Sequence, residues 1–295
     1  MRVAVVAHRK KKFGGGLIEL RRVLSELGVQ DPIWFEVNKS RKAPKRVAKA
    51  VSMGAELVFV WGGDGTVQRS IDVLAGTDIP MAVLPAGTAN LFATNLGIPS
   101  DLTKAVEVGL GGKRRHLDVG RINGERFGVM AGVGADAMMI KSADRGLKDK
   151  LGRSAYVLTG ARALSDAQFK VRVSVDGRSM YKGRAGCVLV GNVGKLFGGI
   201  QAFDDAEPDD GQLDVGVVTA TTAMQWSRLL ARASVGRTDR SKYVRMDSGA
   251  RIDIRIKPKL PYELDGGDRP PTKVLKVRVE PKALTVCVPD NVVPA

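Results

Sequence analysis

Ala55-Glu56-Leu57-Val58-Phe59-Val60-Trp61-Gly62-Gly63-Asp64-Gly65-Thr66 is an apolar run that stops abruptly in glycines around one aspartate. Residues 55–60 are short, apolar and rich in β-branched and aromatic side chains, which predicts a buried parallel strand. Residues 67–74 read as a short helix closed by Gly76. The glycines and Asp64 therefore lie in the turn between a strand end and a helix N-terminus. Such a turn aims several backbone N–H groups at one place, and the helix dipole adds favourable potential for an anion. Glycine lets the backbone come close to a phosphate. A carboxylate there repels phosphate by itself. It fits with magnesium between them, or as a group that handles a substrate hydroxyl. Taken alone, the stretch is also compatible with a tight βα turn and a helix cap.

On the N-terminal side, residues 3–7 predict a first strand. The loop His8-Arg9-Lys10-Lys11-Lys12-Phe13-Gly14-Gly15-Gly16 leads into a helix over 17–27. This is a second basic, glycine-rich turn after a strand, read either as a phosphate loop or as a solvated basic loop. Residues 33–37 predict strand two. The helix after it carries Lys42, Lys45, Arg46 and Lys49 along one face. On the C-terminal side, residues 79–84 form another buried strand, ending in Pro85-Ala86-Gly87-Thr88-Ala89-Asn90 at a helix start. Strands and helices alternate as far as Gly112, which predicts a doubly wound parallel sheet. Ligands of such sheets sit at the carboxyl ends of the strands, where these three loops lie.

Near Asp118 the pattern changes. Asn123-Gly124 is one turn signal, and Asp176-Gly177 is another, between strands expected at 171–175 and 184–190. Further strands are expected at 213–219, 251–257, 274–279 and 283–288, with a helix over 142–164. This half reads as an antiparallel β-sandwich with helices. The expected division is a nucleotide domain over 1–117, a β-rich domain over 118–281, and a tail over 282–295 that returns to the first domain.

The chain has 295 residues, 44% hydrophobic and 26% charged, which suits two globular domains. No apolar run approaches the ~18 residues of a membrane span, and the start predicts a strand rather than a signal peptide. Two cysteines, each within a strand-like run, imply neither a disulfide framework nor a thiolate metal site. A cytoplasmic location is expected. Forty-seven Lys and Arg against 31 Asp and Glu give a net charge of +16, which favours anionic partners. Nucleic-acid binding explains the charge but not the glycine loops, and aromatics to stack on bases are few. The expected partner is instead an anionic membrane surface, bound peripherally. Candidate contacts are the basic helix face and residues 224–232, where Met224, Trp226, Leu229 and Leu230 mix with Arg228 and Arg232. A homodimer is compatible with the sequence but is not read from it.

Gly62-Gly63-Asp64-Gly65-Thr66 followed one strand later by Pro85-Ala86-Gly87-Thr88-Ala89-Asn90 resembles the diacylglycerol kinase catalytic family. That family includes bacterial soluble lipid kinases and the sphingosine and ceramide kinases. The first motif is shared with NAD kinases and phosphofructokinases; the pair at this spacing is more specific. Ala131-Gly132-Val133-Gly134-Ala135-Asp136-Ala137, Asn192, Gly198-Gly199 and Asp209-Asp210-Gly211-Gln212-Leu213-Asp214 resemble later family segments. The resemblance implies a nucleotide domain joined to a β-sandwich lipid domain, with transfer of the ATP γ-phosphate to a lipid hydroxyl. It implies that Gly62, Gly63, Gly65, Thr66, Gly87, Thr88 and Asn90 hold the nucleotide and that Asp64 acts with magnesium. Arg9 and Lys12 would add charge beside the phosphates. A structural magnesium would use Asp210 with nearby carbonyls such as those of Glu207 and Gln212; read alone, Asp209-Asp210-Gly211 is an ordinary turn.

The chain departs from the family pattern in three places. His8-Arg9-Lys10-Lys11-Lys12 replaces an Asn-Pro-x-Ser-Gly loop. Arg69 stands where glutamate is common. Asp265-Gly266-Gly267-Asp268 stands where the family has Asp-Gly-Glu, so the position of the general base is a glycine. Asp268, with Asp265 second, is the expected substitute, reached through a loop that the glycines let move. An NAD kinase-like enzyme, and a nucleotide-responsive lipid-binding protein with weak catalysis, are the alternatives.

Overall fold

The computed structural model describes residues 1–134, 168–196 and 200–290. The helix expected at 142–164, Ala135-Asp136-Ala137 and Gly198-Gly199 lie outside the described residues. The chain forms two compact units: Met1–Val119 together with the segment from Pro281 onward, and Gly120–Glu280.

In the first unit β1 (Val3–His8), β2 (Ile33–Val37), β3 (Leu57–Gly62) and β4 (Met81–Pro85) are parallel, in the order β2-β1-β3-β4. β1 and β3 are buried throughout, the pattern of strands covered on both faces. α1 (Gly16–Glu26) and α5 (Leu102–Gly111) supply Leu20, Val23, Leu24, Leu102, Ala105 and Val106 to a core with Phe59, Trp61 and Leu84. α2 (Ala43–Ser52) and α3 (Asp64–Leu74) are likewise amphipathic: α2 buries Ala43, Val47 and Ala50 and exposes Lys42, Lys45, Arg46 and Lys49. α4 (Leu91–Asn95) is a single short turn after β4. Val286 of the last strand pairs in parallel with Met81.

α3 begins at Asp64, earlier than the expected residue 67. Gly63 is its extended N-cap, and the amides of Thr66 and Val67 already bond to the Gly63 carbonyl at 2.8 and 3.1 Å. An acidic residue is favoured in a first helical turn. Gly65 and Thr66 are thereby drawn out of the loop and into the helix.

The second unit is antiparallel. The end of β5 (Lys113–Ile122), residues 120–122, pairs with β6 (Glu125–Phe127), and β7 (Met130–Val133), β10 (Cys187–Gly191), β11 (Leu213–Val218) and β12 (Val244–Gly249) follow one another as neighbours. β8 (Phe169–Val175) and β9 (Arg178–Ala185) form a hairpin through Asp176 and Gly177, both at positive φ. The single strand expected at 184–190 is two strands. At Gly186 the chain leaves β8 and continues as β10 between β7 and β11, so the partners change there. The strand expected at 251–257 runs on as β13 (Arg251–Leu264), and those at 274–279 and 283–288 are parts of β14 (Gly267–Val288). A core of Val171, Val173, Val215, Val217, Ile252 and Ile254, among others, fills the unit. α6 (Ala223–Ala233) buries Trp226, Leu229 and Ala233, is capped by Thr222, and leaves Met224, Arg228 and Arg232 exposed. Among the described residues no helix is long and apolar enough to cross a membrane.

Candidate nucleotide site and the acidic turns

In the first unit, β3 and β4 are neighbours in register, Gly62 opposite Pro85, so the turns that follow them meet. The Ala86 amide bonds to the Gly62 carbonyl at 2.8 Å. Gly63 and Gly87 then touch backbone to backbone: a Cβ on Gly87 would lie 2.5 Å from Gly63 Cα and 2.7 Å from Asn90 Oδ1. Asn90, left-handed at φ 48, accepts the Gly87 amide at 2.8 Å and returns its Nδ2 to the Gly87 carbonyl at 3.2 Å. Neither glycine can carry a side chain without parting the loops. Gly87→Ala is therefore expected to cost about 2–3 kcal/mol, the scale of an overpacked buried site. Nucleotide affinity should fall with it, and a thermal melt with and without ATP reads both effects.

Asp64 is half-buried, and its carboxylate faces the amides of Asn90, Leu91 and Phe92 at the start of α4. One oxygen, Oδ1, is sealed and has no hydrogen-bond partner. Burial pushes its pKa up, and those amides pull it back only in part. Thr66 is buried rather than offered to a ligand. Its side chain lies where a Cβ on Gly62 would fall, and its Oγ1 meets Ser40 Oγ at 3.1 Å. Gly65 and Thr88 are exposed.

In the basic loop after β1, Gly14, Gly15 and Gly16 all have positive φ, so the chain turns into α1 in a conformation that suits glycine. Arg9 and Lys12 are exposed. The cation at the glycine loop is Lys11, with Nζ 4.0 Å from where a Cβ on Gly63 would lie. Sequence position alone does not single it out among neighbouring lysines. Ser40, after β2, is the other residue at this site that the motif reading passes over. Arg69 pairs with Asp72 on α3 at 3.8 Å.

In the second unit Asp265 and Gly266, at φ 44 and 80, close the hairpin between β13 and β14. Asp265 is buried and accepts three backbone amides: Gly128 at 2.8 Å, Val129 at 3.0 Å and Met130 at 2.8 Å. Its own amide bonds to the Met130 carbonyl at 2.9 Å. Asn192 holds the same loop through its amide to Val129 O and its Nδ2 to Gly128 O. Asp265 thus fixes a turn, with both of its oxygens engaged. Asp268 is exposed and stands in regular β pairing opposite Glu263, with Gly267 opposite Leu264. Gly266 lies in the turn at φ 80, and Gly267 lies in the ladder opposite Leu264. Glu263, which the motif reading passes over, is buried and accepts the Gly266 amide at 2.9 Å.

At the acidic segment Asp210 Oδ1 accepts the Gln212 amide at 2.8 Å, the hydrogen bond of an ordinary Asx turn. Glu207 is exposed. Asp214, half-buried on β11, has its pKa pushed up to about 6 by burial and by the charges of Asp210 and Asp205. Among the described residues no group of three or more His, Cys, Asp or Glu side chains is placed to share a metal ion. A cation here would rest on one carboxylate and backbone carbonyls.

The diacylglycerol kinase catalytic domain matches residues 8–122, and the YegS C-terminal NAD kinase beta sandwich-like domain matches residues 129–288. The chain belongs to the diacylglycerol kinase family. A diacylglycerol kinase from Bacillus subtilis is 28% identical over 215 residues, 72% of this chain and 71% of that one. Another, from Mycobacterium tuberculosis, is 32% identical over 190 residues, 62% of this chain and 61% of its own length. Among solved structures, a diacylglycerol kinase from Bacillus anthracis has a TM-score of 0.77 at 24% identity, covering 97% of this chain and 96% of that one. The fold extends to an NAD kinase from Archaeoglobus fulgidus at a TM-score of 0.50 and 14% identity, covering 97% and 93%. The mixed α/β architecture expected from the sequence is the architecture found, and the relatives so named are kinases.

Proposed function

We propose that the protein is an ATP-dependent lipid kinase that transfers the γ-phosphate to a lipid hydroxyl, with diacylglycerol as the acceptor. The observation that carries this is the backbone contact of Gly63 with Gly87. Two turns at adjacent strand ends are held together with no side chain between them, beside a helix N-terminus and the Lys11 ammonium. Such a place suits the phosphates of a nucleotide. Phosphoryl transfer needs mainly positioning and neutralised charge, and these groups supply both. Gly62, Gly63, Gly87, Thr88 and Asn90 shape the turns, and Gly65 lies exposed in the first turn of α3; Lys11, with Arg9 and Lys12 in the same loop, adds positive charge. Magnesium would neutralise phosphate charge, and Asp64, at the start of α3 beside the two turns, is the carboxylate that would act with it. A second, structural magnesium would engage Asp210 with the carbonyls of Glu207 and Gln212.

Asp268 is the proposed acceptor of the lipid hydroxyl proton. Of the carboxylates around this hairpin, Asp265 is occupied by three amides and Glu263 by one, whereas Asp268 is exposed. Asp268→Asn is expected to lower turnover about 10-fold or more while ATP affinity stays within a few-fold, the modest base contribution of a loose transition state. Wild-type turnover in this variant removes the assignment. A weakly catalytic, nucleotide-responsive lipid-binding protein is the second reading, favoured by Gly267 in the family's glutamate position. Membrane association is peripheral in either reading, with the outer faces of α2 and α6 as contacts. Transfer of labelled phosphate from ATP to a panel of lipid alcohols and to NAD, with and without magnesium, tests the function. Labelled NADP with no labelled lipid would replace the lipid kinase by an NAD kinase.

A further inference from the structure

Six cations stand on one face of the second unit in two cross-strand rows. β8 pairs with β9 so that Arg172 is opposite Lys182 and Lys170 opposite Arg184. β8 pairs with β13 on its other side so that Arg172 is opposite Arg255 and Lys170 opposite Lys257. The rows are Arg255–Arg172–Lys182 and Lys257–Lys170–Arg184. The alternate residues Val171, Val173, Ile254 and Ile256 are in the core, so the period of two turns the cations outward. All six are exposed and border a shallow depression of about 590 Å³.

This grid is unfavourable for the chain itself. Like charges directly opposite across a sheet destabilise it. Among the described residues none of the six has an ion pair, and Asp253, the neighbouring outward position on β13, is engaged by Arg278 at 3.0 Å. Protection of a strand edge with lysine accounts for cations on β9, whose described pairing is to β8 alone. It does not account for Lys170, Arg172 and Arg255, each of which has a paired strand on both sides. The cations on the outer face of α2, by contrast, meet no cross-strand repulsion, because they lie on one helix.

We propose that this sheet face is an electrostatic docking surface for an anionic phospholipid bilayer. The proposal rests on the lipid-kinase reading, in which the acceptor is itself a bilayer component. The face presents an array of point charges of one sign, complementary to a layer of anionic headgroups. Its six charged positions include no aromatic ring on which a base could stack, which argues against single-stranded nucleic acid.

The test uses the full chain and vesicles of phosphatidylcholine with or without phosphatidylglycerol, in a co-sedimentation assay over a salt series. Arg172→Glu changes the charge by two at the centre of one row. Vesicle binding should weaken roughly 20–30-fold at low salt, and the wild-type affinity should itself fall as salt rises. The same substitution creates attractive pairs with Lys182 and Arg255, so the melting temperature should hold or rise, which separates docking from folding. Should Arg172→Glu fail to fold, the neutral double variant Lys170→Gln with Arg172→Gln carries the same expectation. Unchanged vesicle binding in a folded variant overturns the proposal, whatever the activity on detergent-dispersed lipid. Tighter binding to an oligonucleotide than to anionic vesicles, lost in the same variant, overturns it in favour of nucleic acid. If no lipid is phosphorylated while vesicle binding remains sensitive to Arg172→Glu, the kinase reading falls and the docking surface stands.

Discussion

Asp64→Asn is expected to lower turnover at least ~10²-fold, the scale of a phosphate that is misplaced or left unneutralised. The substitution nearly conserves volume and removes one negative charge. Its position explains why the effect should fall on chemistry and not on folding. One side of the carboxylate faces the amides of Leu91 and Phe92, an acceptor role that the Asn oxygen retains. The other oxygen, Oδ1, has no partner, so an amide nitrogen in its place breaks no protein hydrogen bond. Burial raises the Asp64 pKa above its value in the unfolded chain. The folded state therefore binds this proton more tightly, and its contribution to stability declines as pH rises from the unfolded toward the folded pKa. Above the folded pKa the ionised carboxylate is a cost to the fold, and there Asp64→Asn should melt at or above the wild-type temperature. Loss of turnover with a preserved melt places Asp64 in the reaction. Near-normal turnover removes it.

The strand ends and their glycines were legible because their signals are local. A buried parallel strand is a continuous apolar run, and a turn that must pass close to another backbone needs glycine whatever its distant surroundings. Residues 55–66 and 85–90 therefore revealed the turns on which the nucleotide reading rests. Less legible was which side chain each turn presents. Thr66 belongs to the helix and packs on Gly62, and the cation beside Gly63 is Lys11, because pairing of β3 with β4 and the entry into α1 set those directions. Strand ends in the antiparallel unit were misread for a related reason. A sheet change at Gly186 alters the partners without interrupting the apolar run, and β13 continues past Lys257 although prolines stand at 258 and 261. The cation rows depended on register, which relates residues about 10 to 90 positions apart and has no local signal.

Asp265→Asn is expected to act on stability first. The wild-type carboxylate accepts three buried amides at 2.8–3.0 Å, which form the turn joining β6 to β7. An Asn oxygen can serve part of this set, while its NH₂ group confronts at least one N–H with another donor. A buried donor left without an acceptor costs ~1–3 kcal/mol, and the bonds lost were charge-assisted. The expected loss is therefore about 3 kcal/mol, roughly a 10 °C lower midpoint for a unit of this size. Asn also tolerates the left-handed φ of 44 at this position, so the comparison isolates the hydrogen bonds. Asp265→Ala adds backbone strain and leaves every one of these amides unserved, and should be worse by a further ~1–2 kcal/mol. Asp268→Asn, on an exposed ladder position, should leave the melt unchanged. Activity will fall in Asp265→Asn as well, but in parallel with the folded fraction and recovering as temperature is lowered. A variant that melts like wild type and transfers no phosphate at any temperature would reverse the assignment, making Asp265 the proton acceptor and Asp268 a surface residue.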